Sequence, residues 1–281
     1  MSRSSRTAGT VLVIIGVLIA LVIVAAVIVT RIPNHTPLPG EQRCVLTAAG
    51  RSVAVTTEQA HYASIIAGVS VRRGLVPRAA SIALATAYQE SNLRNLDHGD
   101  RDSVGLFQQR PSQGWGTQKQ LMDPYYASRA FYRALERIDG WEHEDITEIA
   151  QKIQVSGYPE AYRDHEADAR VLASVLTGQS PAGIGCLIRD RAAADPGGLA
   201  ASLRKTYKIS PHRSGSVITV KARTEALAWS YAQYAVANAA GYGVRQVRIG
   251  DRQWTTSNRE LAHWQRAAEP IGGRSVSITL G

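Results

Sequence analysis

From Val11 to Val29 the sequence is an unbroken run of Val, Ile, Leu, Ala and one Gly. At about 19 residues it is long enough to cross a hydrocarbon core of roughly 30 Å. Such a run must sit in lipid or be removed, so it limits the architecture more than any other feature. Arg3 and Arg6 precede it and no acidic residue does. The positive-inside bias then keeps residues 1–10 in the cytoplasm and places everything after Arg31 outside. A cleaved signal peptide is the rival reading, given the basic start. The apolar core is longer than a typical h-region of about 7–15 residues, and Thr30, Arg31 and Ile32 make no small-x-small site. The expectation is an uncleaved, single-pass anchor over residues 11–30, in contact with the bilayer through 11–29.

External placement gives the two cysteines a meaning. Cys44 and Cys186 lie where disulfides persist, and an even pair there is expected to form one bridge; two unpaired structural thiols are the alternative. The formal charge of +9 favours anionic polymers or lipid head groups, or serves solubility alone. No Lys/Arg run or basic-aromatic stripe points to nucleic acid. A single span does not by itself line a transport path, so a transport or metal-handling role ranks last.

The pattern along the chain suggests two external domains. Residues 31–41, rich in proline, read as a short stiff stalk. Residues 42–188 are expected to be a mainly α domain. Thr56 and Gln59 form a capping box for a helix over Glu58–Arg73 that stops at Gly74, and Pro77 opens the next helix, which runs to about Ser91. Asn92–Ser103 is loop. Further helices are expected over Tyr125–Ile138, Ile146–Val155 and Pro159–Thr177. Residues 189–198 read as a linker. Residues 199–281 read as a small α+β accessory domain of unassigned role, with strands at Ser216–Lys221, Val244–Ile249 and Ser275–Leu280 around an Ala-rich helix, Thr224–Ala240.

The most informative short stretch is Gln89–Gln109, "QESNLRNLDHGDRDSVGLFQQ". Glu90 ends a small, apolar helix face made by Ala87, Thr86, Ala83 and Ile82, a setting that raises a carboxyl pKa by desolvation. A solvated helix-end glutamate is the bland alternative. Glu90-Ser91, a polar loop, and then Gly105-Leu106-Phe107-Gln108 resemble the lysozyme-like superfamily. The Glu-Ser and Gly-Leu-x-Gln pair is similar to the soluble lytic transglycosylases. The loop "GDRDSVGLFQQ" is similar to the Gly-Asp-Arg…Gly-Leu-x-Gln stretch of goose-type lysozymes. The resemblance spans about residues 55–180 and implies an α-helical fold with a saccharide cleft, with Glu90 as the acid that protonates the glycosidic oxygen.

That chemistry needs a proton donor and stabilisation of an oxocarbenium-like centre. In a lytic transglycosylase the sugar's own 6-hydroxyl attacks and one acid/base serves both steps. A hydrolase needs a second group, and Asp100 is the candidate because its Gly99-Asp100-Arg101 context matches the goose-type stretch. The resemblance further implies substrate contacts from Ser91, Gly105 and Gln108, for which turn geometry and capping are the alternatives. Trp115 and Tyr158 are candidate sugar platforms, with core packing as the alternative. One departure stands out. Where lytic transglycosylases carry Ala-Tyr-Asn-Ala-Gly, this chain reads "KIQVSGYPEAY", Lys152–Tyr162. There Gln154 replaces the tyrosine, and Tyr158 or Tyr162 substitutes for it in space.

No cofactor motif is present, and the scattered histidines, His98 and His165 among them, make at best partial metal sites. The expected function is cleavage of peptidoglycan glycan strands at the outer membrane face. The alternative is a non-catalytic lysozyme-like module that binds glycan or docks in an envelope complex.

Overall fold

A computed structural model describes Pro37, residues 40–154 and residues 159–281. The expected anchor, most of the stalk and Tyr158 lie outside the described residues. Among the described residues no helix is long and apolar enough to cross a membrane.

The fold is mixed α+β. It opens with a hairpin, β1 (Arg43–Ala48) and β2 (Arg51–Val55), completed by β3 (Ile184–Leu187) into a three-stranded antiparallel sheet of order β2-β1-β3. The expectation for residues 42–188 included no strands, and this small sheet is the difference. Its strands are short, and the hairpin turns through Ala49 and Gly50 at φ 49° and 77° without the Asn-Gly or Asp-Gly pair that announces such turns. Cys44 stands opposite Cys186 in the β1–β3 register, and the two form a disulfide.

Helix α1 (Thr57–Arg73) begins as its capping box dictates. The Thr56 hydroxyl accepts from the Gln59 amide at 3.1 Å, and the Gln59 side chain accepts from Thr56 N at 2.8 Å. It ends at Gly74 in the left-handed region. Helix α2 (Pro77–Ser91) starts on its proline and ends at Asn92, whose left-handed φ of 53° stops the helix immediately after Ser91. Ala79–Ala87 are all buried, because small side chains let neighbouring helices approach on every side. After the short α3 (Gln118–Leu121), which packs on α4 (Pro124–Leu135), α2 is surrounded by α4, α5 (Ile146–Gln154) and α6 (Arg163–Leu176), with a 3-10 turn at Pro159–Tyr162.

Beyond β3 come α7 (Pro196–Tyr207), α8 (Glu225–Ala237) and α9 (Ala239–Tyr242). They lie with strands β4 (His212–Ser214), β5 (Val217–Lys221), β6 (Val244–Ile249), β7 (Arg252–Thr255), β8 (Gln265–Arg266) and β9 (Ser275–Leu280). The six strands form one antiparallel sheet of order β4-β5-β9-β6-β7-β8.

The residues on either side of the expected 189–198 linker belong to one compact unit, Thr36–Gly281. Helix α8 explains why. Ala228–Ala237 are all buried, because α8 is apolar all round and lies between the large sheet on one side and α1 and α6 on the other. A buried hydroxyl chain crosses the same seam: Tyr125 to Ser202 at 2.8 Å, then Ser202 to Tyr234 at 2.5 Å. Gly68 on α1 marks how closely the parts meet, since a Cβ there would sit 2.3 Å from Thr206 Cγ2.

Candidate active site

Glu90 occupies the last turn of α2 and is partly buried. Two side chains hold its carboxyl group. The Tyr162 hydroxyl donates to Glu90 Oε1 at 2.6 Å. The Gln154 side chain from α5 also hydrogen-bonds the carboxyl, and its amide nitrogen donates to the Phe107 carbonyl at 2.6 Å. Burial raises the Glu90 pKa above the ordinary value, and the bonds from Tyr162 and Gln154 pull the other way without cancelling it. Its place at a helix C-terminus, where the peptide dipoles point their negative end, also disfavours the carboxylate. The result is a carboxylic acid that keeps its proton to higher pH than a solvated glutamate and has fixed partners on one side.

The Gly-Leu-Phe-Gln turn is tied to this helix end by backbone and side chain together. Ser91 Oγ donates to the Leu106 carbonyl at 2.7 Å and is also 3.0 Å from the Ala87 carbonyl. It is buried, so its hydroxyl fastens the turn to α2. Gly105 has φ 81°, and a Cβ there would stand 2.5 Å from the Leu121 carbonyl oxygen. It is needed where backbone meets backbone. Gln108 holds a left-handed φ of 45°, and its side chain knots the loop. It accepts from Ser103 Oγ at 3.0 Å and donates to the carbonyls of His98 and Gly105 at 3.3 and 3.2 Å. Gly99 makes room for that amide, since a Cβ would fall 1.8 Å from Gln108 Oε1. The side chains of Ser91 and Gln108 and the bare Cα of Gly105 thus shape the turn, and Gln154 links the turn to the acid.

The loop aspartates face other partners. Asp100 is 92 % exposed with the Arg101 guanidinium 3.8 Å away. Asp102 accepts from Arg110 Nε at 2.8 Å and from the Ser112 amide and hydroxyl at 2.8 and 2.9 Å, which holds its pKa far below the usual carboxylate range. Asp97 pairs with His98 at 2.7 Å in the open. The structure does not bring Asp100 and Glu90 into contact. Trp115 is partly buried, its carbonyl bonded by the Tyr126 hydroxyl at 3.2 Å.

Two residues gain weight from the structure. Tyr162, named from sequence only as a spatial substitute, is the direct partner of the acid and is fully buried. Gln109, not singled out from sequence, is 2 % exposed, and neither atom of its amide has a protein partner among the described residues. Behind the acid, His165 stacks on Tyr88 with ring centroids 5.1 Å apart and hydrogen-bonds Gln89 at 3.0 Å. Burial lowers its pKa. Among the described residues no group of three or more His, Cys, Asp or Glu is placed to hold a metal ion.

No protein-family model matches the chain, and no curated protein matches it. What the site can do therefore follows from its own geometry.

Proposed function

We propose that this chain is a membrane-anchored enzyme of lysozyme-like character that cleaves the glycan strands of peptidoglycan, with Glu90 as its general acid. The observation that carries the reading is Glu90 itself. It is a partly buried carboxyl at a helix end with a raised pKa, positioned by Tyr162 and by Gln154, which also grips the Gly-Leu-Phe-Gln turn. An acid of this kind holds its proton to higher pH than a solvated glutamate and donates it to a departing glycosidic oxygen. Residues 11–29 supply the anchor and keep the site on the outer face.

Three loop aspartates engaged elsewhere favour the route that needs one carboxyl group. Asp100 points to solvent, and Asp102 is locked to Arg110 and Ser112. A hydrolytic route requires a second group to orient water. In the transglycosylase route Glu90, deprotonated by the first step, accepts the proton of the sugar 6-hydroxyl as that oxygen closes on the anomeric carbon. The proposal is therefore a lytic transglycosylase, with a 1,6-anhydro end on its product.

The test is to incubate protein covering residues 36–281 with purified peptidoglycan and weigh the released fragments by mass spectrometry, with Glu90→Gln alongside. Anhydro-ended fragments lost in Glu90→Gln are expected. Reducing ends would replace the transglycosylase by a muramidase. Saturable glycan binding with no fragments from folded protein would replace the enzyme by a binding module.

A further inference from the structure

A second site lies at the seam where α1 meets α8 and α9. It is a cavity of about 580 Å³ whose lining includes Glu58, His61, Tyr62, Asp190, Asn238 and Tyr242. We propose that this cavity binds an organic ammonium, a primary amine carried on a short aromatic or apolar body. The proposal is independent of Glu90 and of the reaction assigned to it.

The Asn238 amide fixes the character of the cavity. Its nitrogen donates to the Tyr234 carbonyl at 2.8 Å and to Ser64 Oγ at 2.9 Å, which uses both amide hydrogens. Its oxygen is therefore the atom 2.5 Å from His61 Nδ1, and Nδ1 must carry the hydrogen. His61 Nε2 is left as a lone-pair acceptor, with no protein partner among the described residues, in a ring that lines the cavity. Burial lowers the His61 pKa, which preserves that lone pair at neutral pH.

The charges point the same way. Arginine and lysine total 32 against 23 acidic residues in this chain, yet the lining has two carboxylates, Glu58 and Asp190, and neither Lys nor Arg. Glu58 is met by Arg94 only at 3.7 Å. An anion entering would face two carboxylates and an imidazole lone pair. A neutral alcohol offers one hydrogen to these acceptors. An ammonium offers three, together with the positive charge. Tyr62, packed edge-on against the His61 ring at 4.8 Å, and Tyr242 supply aromatic surface for the organic body and for the cation itself.

The experiment uses the full chain in zwitterionic lipid nanodiscs at about pH 7.5, where His61 is neutral, with empty nanodiscs subtracted. Benzylamine and benzyl alcohol, nearly equal in shape, are titrated while the His61 Cε1–H resonance is followed by NMR. Benzylammonium is expected to bind about tenfold tighter than the alcohol and to shift the His61 signal. The double variant Glu58→Gln/Asp190→Asn, with its thermal transition unchanged, is expected to bring the two probes to near parity. Equal binding of the probes by the parent chain would overturn the proposal. So would a preference that survives the double variant, a His61 signal that ignores benzylammonium, or no saturable binding by folded protein.

Discussion

Glu90 and His61 are two partly buried titratable groups on adjacent helices, and burial pushes each toward its neutral form. Their partners make them opposites. Glu90 is held by donors, Tyr162 and Gln154, and keeps a proton to give. His61 donates to the Asn238 oxygen and keeps a lone pair to accept. The difference extends to how each site is built. The side-chain hydrogen bonds that tie Glu90 and the Gly-Leu-Phe-Gln turn together come from residues between 90 and 162. The His61 cavity needs residues 58–62 and 190–242 together. Desolvation alone sets no chemistry; the hydrogen-bond role of the nearest fixed partner does.

The hardest test of that contrast is Glu90→Gln. The amide preserves shape and still accepts from Tyr162 but has no proton to transfer. Glycan cleavage should fall about 10³-fold, a barrier increase of roughly 4 kcal/mol, while binding at His61 is untouched. Stability should move the other way. A carboxyl with a raised folded-state pKa contributes stability below its unfolded value, and that contribution is lost as pH rises through the raised value. Glu90→Gln is neutral throughout, so its denaturation midpoint should gain on the parent's as pH rises from about 4, the unfolded value, through the raised folded value. A variant of equal activity would remove Glu90 from the mechanism.

Next in size is the disulfide. Cys44–Cys186 closes a sequence separation of 142 residues and pins β3, whose Cys186 also pairs with Ala262 in both directions, at 3.2 and 3.0 Å. Replacing both cysteines by alanine should cost about 2–5 kcal/mol in denaturant unfolding. Since β3 joins the two halves, both sites should be lost in one transition. Separate transitions would show that the halves fold independently.

Gly68→Ala separates the two sites more gently. Its Cβ would press on Thr206 Cγ2 at 2.3 Å and Tyr207 Cζ at 2.8 Å, an overpacking cost of about 1–3 kcal/mol. The strain falls on the seam between α1 and α7. Benzylammonium binding should weaken while glycan cleavage per folded molecule persists. Loss of cleavage with intact amine binding would reverse the assignment of the sites to their halves.

The same contrast explains what the sequence disclosed. The capping box at Thr56, Pro77 at a helix start, and the strand alternations at Val244–Ile249 and Ser275–Leu280 are local signals, and the structure places elements at those positions. The Glu90 stretch was legible for the same reason, since helix end, loop and turn lie within about twenty residues. Tyr162 was visible only as one of two substitutes, because choosing between tyrosines depends on how the 3-10 turn packs. The small sheet was missed because β1 and β3 are paired across the whole helical region. The seam was missed because Gly68 inside a helix reads as a minor weakness until Thr206 stands against it. Nothing local connects His61 to Asn238, 177 residues apart.

The last test bears most directly on how the acid is tuned. Tyr162→Phe keeps the ring in its buried slot and deletes the hydroxyl that donates to Glu90 Oε1 at 2.6 Å. That bond stabilises the carboxylate, so it opposes the upward push of burial. A hydrogen bond to a charged group contributes about 1.5–3 kcal/mol, or roughly one to two pKa units. Without it Glu90 should hold its proton to higher pH, and the alkaline limb of the cleavage rate should move up by about that amount. At pH below the alkaline limb of both, the variant should cleave almost as well as the parent, because the acid is protonated in both. If the limb stays in place, the hydroxyl is only packing. If it moves down, Glu90 acts ionised, and a group other than Glu90 supplies the proton.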